Sequence, residues 1–190
     1  MKLRIHDKWL NKREASIEEN ATSLAYTIWQ IALTATKNLY VEDFEFDNDE
    51  QRLGVITEYQ IFLIHCSDRL AFDQMNEDAR ASFVPVLAKE SARHLQRNKE
   101  DILGRADYRS SFLKLLNQRN MEYAECSFEE SKPGYTLFRT FSEKVQNIMG
   151  SGQTNRWVID QIMEIDGPDV ASHLSKAMKN LFKSSNAASA

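Results

Sequence analysis

Glu58, His65, Asp68 and Arg69 are the residues of this chain best equipped for chemistry, and they fall in one stretch, EYQIFLIHCSDRLAFDQM at 58–75. Two carboxylates and an imidazole are oxygen and nitrogen donors of the kind that hold metal ions, and Arg69 joins them as a candidate ligand-binding group. At about 100 degrees per residue on a helix, Glu58, Ile61, His65, Asp68, Arg69 and Phe72 share a face. Ile56, Tyr59, Leu63, Cys66 and Leu70 cover the opposite side, so the helix is apolar nearly all round. Two readings compete: a metal or ligand site, or a hydrogen-bonded core network that fixes which helices pack together. A ferritin-like carboxylate site needs Glu-x-x-His on two helices, and this chain has none. Its nearest approaches are His65-x-x-Asp68, Glu90-x-x-x-His94 and Glu122-x-x-Glu125, which permit two ligands on one helical face without specifying a site. The core network is therefore the preferred expectation. Asp68 and Arg69 diverge by about a hundred degrees, so each is expected to reach another helix, or a neighbour one turn away, and not the other. A buried, paired Asp68 would make Asp68→Ala cost about 3–5 kcal/mol.

Other templates fit less well. His6-Asp7 lies near the start of the chain with no surrounding helix to present a metal. Asp47, Asp49, Gln51 and Glu58 echo a calcium loop, but the sixth place, which wants glycine, is Arg52. Cys66 projects about a hundred degrees away from His65, poor geometry for a nucleophile and its base, and reads as a core thiol. Neither a phosphate-cradling glycine loop nor a nucleophile elbow nor a dinucleotide fingerprint occurs. A helix-turn-helix regulator is disfavoured by the acidity of residues 14–50.

The elements that must position these groups are helices. Ser16-Ile17-Glu18-Glu19 is a capping box opening a helix over about 16–40, with Leu24, Ile28, Ala32, Ala35 and Leu39 on one stripe. Tyr26, Trp29, Leu33 and Tyr40 form a second stripe, which implies more than one packed neighbour. Asp47-Asn48-Asp49 supplies good cap residues for a helix over about 49–75, and Asn76 caps a third over about 77–103, which Pro85 is expected to kink or divide. Asp107 caps a fourth helix, to about 126, and Ser131-Lys132-Pro133-Gly134 makes a turn. A fifth helix spans about 135–149, and Thr154 is expected to cap a sixth through Trp157, Ile162 and Ile165. Asp166-Gly167-Pro168 reads as a break before a final amphipathic helix bearing Val170, Leu174, Met178 and Leu181. The expectation is an all-α, single-domain bundle of six or seven helices over 1–183, with 49–75 as its largely buried central helix and 184–190 as a flexible tail.

Composition supports this outline: 190 residues with 42% hydrophobic and 27% charged content suffice for one core. The net charge of -4 argues against nucleic acid, and the lack of a long uncharged apolar run argues against a membrane span. Two cysteines without metal-ligand spacing, and the lack of an apolar leader pattern, suit a cytoplasmic protein. Six acids crowd residues 41–50, whereas Lys176, Lys179 and Lys183 make the final helix basic. The leading functional expectation is a non-catalytic helical protein that acts through self-association, as a homodimer, or through another protein partner. The alternative is a metal- or small-ligand-binding bundle, an oxidoreductase among the options, that uses the polar stripe. No cofactor is specified by the sequence.

Overall fold

Helix boundaries follow the local side-chain chemistry. In the computed structural model, which describes residues 15–186 with side chains through Phe182, α1 runs Ile17–Val41. Ser16 Oγ accepts from the Glu19 amide at 3.1 Å while Glu19 Oε2 accepts from the Ser16 amide at 2.7 Å, which closes the expected capping box. The helices α2 (Asp49–Gln74), α3 (Glu77–Leu103) and α4 (Tyr108–Ala124) start on Asn48, Asn76 and Asp107, whose side chains accept from the amides of Gln51, Ala79 and Ser110. Gly104 (φ 88°) closes α3, and Gly150 (φ 76°) closes α5 (Tyr135–Met149), both in the left-handed region that glycine adopts without strain.

The fold is an all-α bundle in which α2 is the central helix. Sixteen of its residues, from Leu53 to Ala71, are buried, including Glu58, Gln60 and His65. Around it pack α1, α3, α4, α5 and the last helix, α7 (Gly167–Asn186). Phe62 stacks on Phe141 of α5 at 4.3 Å between ring centroids, and Tyr59 meets the same ring edge-on at 5.0 Å. The contacts also fix direction. Asp68 meets Arg80, which sets α3 antiparallel to α2, and Tyr59 near Asp166 with Leu70 near Ala171 sets α7 parallel to it. The acidic loop 42–48 therefore lies at one end of the bundle, and the C-terminal part of α7 at the other.

Five expectations change. Tyr26, Leu33 and Tyr40 are exposed, so of the second stripe on α1 only Trp29 is buried. Pro85 does not divide α3, because Ala81, whose carbonyl loses its partner, and Pro85 itself both face solvent. The turn at 131–134 belongs to a two-residue hairpin, β1 (Phe128–Glu129) with β2 (Lys132–Pro133). Most importantly, Gly167-Pro168 is no break. After a 3₁₀ turn (Gln153–Trp157), a short α6 (Val158–Gln161) passes through a π turn (Ile162–Asp166) directly into α7. Thr154 makes no cap, and Trp157 and Ile165 are exposed. Proline is tolerated in the first turn of a helix, and Gly167 is there for space: a Cβ would sit 2.6 Å from the Ile162 carbonyl and 2.7 Å from the Phe138 ring.

Val170, Leu174 and Met178 of α7 are buried against the chain's own core, chiefly α1 and α2, so this helix needs no second chain to cover its apolar face. Among the described residues, no helix is long and apolar enough to cross a membrane.

Candidate functional site

The polar stripe of α2 is divided among separate partners. Glu58, 2% exposed, receives a two-pronged contact from Arg119 of α4, with Nε at 3.0 Å and Nη2 at 2.8 Å. Arg119 Nη1 continues to Glu122 at 3.2 Å, and Glu122 takes Lys144 of α5 at 2.5 Å. Negative and positive charges alternate along this chain of four and cancel. Glu58 holds the Arg119 pKa above its ordinary value; partial burial works against Glu122 ionising, yet hydrogen bonds from Lys144 and Gln118 keep its pKa low. The arrangement ties α2, α4 and α5 together and leaves no charge over for a ligand.

His65 lies one turn further along. Its Nδ1 is 3.4 Å from Asn120 Oδ1, and its ring meets Tyr123 edge-on at 5.3 Å. Burial lowers the His65 pKa against the pull of the Asn120 contact, so the imidazole is neutral at physiological pH. Burial, and then the nearby Glu58 carboxylate, push the Tyr123 hydroxyl well up, and burial pushes the Cys66 thiol up as well. Neither is an activated nucleophile.

The remaining candidates go elsewhere. Asp68 accepts from Arg80 Nε at 2.7 Å, but its side chain is 28% exposed and that of Arg80 35%, so this is a half-exposed pair and not the buried one that the sequence suggested. Arg69 lies over the Phe128 ring at 5.5 Å, and Phe72, at the end of the stripe, is exposed under the Arg80 guanidinium. Glu90 pairs with Arg93 at 2.6 Å, while His94 stands 6.0 Å from the exposed Tyr26 ring. Glu122 is held by Arg119 and Lys144, and Glu125 is exposed. Of the calcium-like series, Gln51 bonds Asp47, Asp49 pairs with Arg52, and Glu58 belongs to the Arg119 network. Among the described residues, no group of three or more His, Cys, Asp or Glu could hold a metal ion. His6-Asp7 lies outside the described residues.

Arg119 and Lys144, which complete the network, escape sequence reading because they stand far from Glu58 in the chain. Asn155 escapes it too: buried, it accepts from the Glu45 amide and donates to the Glu45 and Met149 carbonyls, all at 3.0 Å, so it pins the acidic loop from 110 residues away. On the outside, Tyr26, Leu33 and Tyr40 follow one another every seven residues along α1, and Leu33, Tyr40 and Phe46 border a groove of about 710 Å³ between α1 and the start of α2.

No protein-family model matches the chain, and comparison with curated proteins and with solved structures gave no match.

Proposed function

We propose that this chain works by contact: a non-catalytic helical protein that pairs with a second copy of itself through the exposed face of α1. One observation carries the reading. Tyr26, Leu33 and Tyr40 are 56%, 41% and 70% exposed, and with Gln30 and Lys37 between them they make the four-three alternation of a helix-pairing seam. The seam is close to symmetric about Leu33, so an antiparallel two-fold places Leu33 on its counterpart and each Tyr26 opposite a Tyr40, as an isologous interface requires. Such a pairing also brings the acidic loop of each copy level with the lysine-bearing end of α7 in the other, which makes association weaken with salt. The two free thiols, Cys66 and Cys126, suit a reducing, cytoplasmic setting.

Sedimentation of the intact chain at micromolar concentration tests this. A dimer in low salt, weakened in high salt and abolished by Leu33→Glu with folding intact, is the expected result. A monomer in low salt overturns it. The alternative, a metal- or small-ligand-binding bundle acting through the α2 stripe, requires the Glu58–Arg119 contact to open; stoichiometric metal in protein purified without added metal, lost in His65→Ala, would replace the present reading with that one.

A further inference from the structure

A second feature, at the opposite end of the bundle from the acidic loop, has the make-up of a ligand site. A cleft of about 540 Å³ lies between the end of α2, the β1–β2 hairpin, α5 and α7. This is within the range of small-molecule pockets, about 300–1,000 Å³. Its apolar lining comes from Leu70, Phe138, Ala171 and Pro133, and Ser172 and Ser175 add hydroxyls. Lys132 of the hairpin and Lys176 and Lys179 of α7 border it as well. None of the three makes an ion pair among the described residues, and Glu130 is the one acid in the lining.

In a chain of net charge -4, three cations gathered around one apolar hollow form a local reversal of sign. The hollow also depends on a close approach. Gly167 lets the Phe138 ring lie against the start of α7, and that ring is part of the lining. We propose that this cleft binds a small amphiphilic anion: an apolar body against Leu70, Phe138 and Ala171, and a phosphate or carboxylate head among Lys132, Lys176 and Lys179. Ammonium groups on flexible stems act as point charges and suit either head group. The cleft lies apart from the α1 seam, and although pairing would bring Lys176 and Lys179 level with a partner's acidic loop, this inference does not rest on self-association and is tested in the Leu33→Glu chain as well.

Isothermal titration of the intact chain with octyl phosphate below its micelle concentration, with 1-octanol and with inorganic phosphate tests both halves of the site. Octyl phosphate is expected to bind one per chain, at least about tenfold more tightly than either fragment, the signature of an apolar body and a charged head held together. Lys176→Glu with Lys179→Glu is expected to weaken it by at least about tenfold without moving the melting temperature, since both side chains are exposed, and added salt is expected to weaken it too. The paired arginine substitutions are expected to retain binding, and so is Leu33→Glu. Equal affinity for octanol and octyl phosphate, indifference to the charge reversal, or loss of binding in Leu33→Glu would each overturn the assignment. Octanoate, with a tail of the same length, then separates the head groups: binding as tight as that of octyl phosphate points to a carboxylate ligand, and no binding points to a phosphate, within the same proposal.

Discussion

Lys144 and Lys176 are the same residue type placed in opposite circumstances. Lys144 reaches Glu122 at 2.5 Å and ends a chain of charges that runs through Arg119 to the buried Glu58, so every charge in that region has a partner. Lys176 stands with Lys132 and Lys179 around an apolar cleft, outnumbering its one acid three to one. The first region resembles a site in its residue types and is closed; the second is made of residues that no catalytic motif would pick out and is open. Residue type does not separate a site from a scaffold here. Mutual satisfaction of charge does.

The sharpest way to break this comparison is at Glu58. Its removal strands Arg119, whose side chain is only 14% exposed, with the half-exposed Glu122 alone, and Glu58→Ala is expected to cost about 3–5 kcal/mol in urea denaturation. A cost below about 1 kcal/mol would put the network on the same footing as an exposed pair.

A pH profile sharpens it further. The folded-state pKa of His65 lies below its ordinary 6.5, with burial the main cause, and that of His94 is displaced in the same direction. Just below pH 6.5 the unfolded chain binds these protons and the folded chain does not, so stability is expected to fall as pH drops through that window and to level off below the folded pKa. Replacing His65 with Gln is expected to flatten the slope, measured by denaturation at close pH steps above the carboxylate range. An unchanged slope would assign the effect to His94.

The smallest effect belongs to Asp68. With both partners about a third exposed, the pair with Arg80 is worth little, and Asp68→Ala is expected to change stability by about 1 kcal/mol or less, well under the buried-pair figure that the sequence suggested.

Most of the helical outline is legible in the sequence. Ser16, Asn48, Asn76 and Asp107 announce helix starts because each offers an oxygen to an amide two or three residues on, and Gly104 and Gly150 announce ends because little else accepts their backbone angles. Such signals are local. Gly167-Pro168 misled because the local rule for a break ignores what packs nearby, and there the glycine answers to Phe138, which lies 29 positions earlier. The candidate site was readable by half. The α2 stripe could be seen, but whether Glu58 was free or spent depended on Arg119, and its distance along the chain left no periodic trace. The cleft was less legible still, since Leu70, Lys132, Phe138 and Lys176 come from four elements that meet only in three dimensions.

The burial of α2 on nearly every side has a consequence in time. A chain is made from its N-terminus, and α2 is complete at Gln74, while α5 and α7, which cover Phe62, Tyr59 and Leu70, finish at Met149 and Asn186. At about 5–20 residues per second, the 112 residues between Gln74 and Asn186 take roughly 6–22 s to make. For that interval the most fully buried helix of the protein leans on α1, then α3, α4 and α5 as each is completed, and its Leu70 end still lacks α7. A truncation ahead of α7 leaves that part of α2 uncovered, and is expected to accumulate as aggregate instead of as a smaller folded bundle.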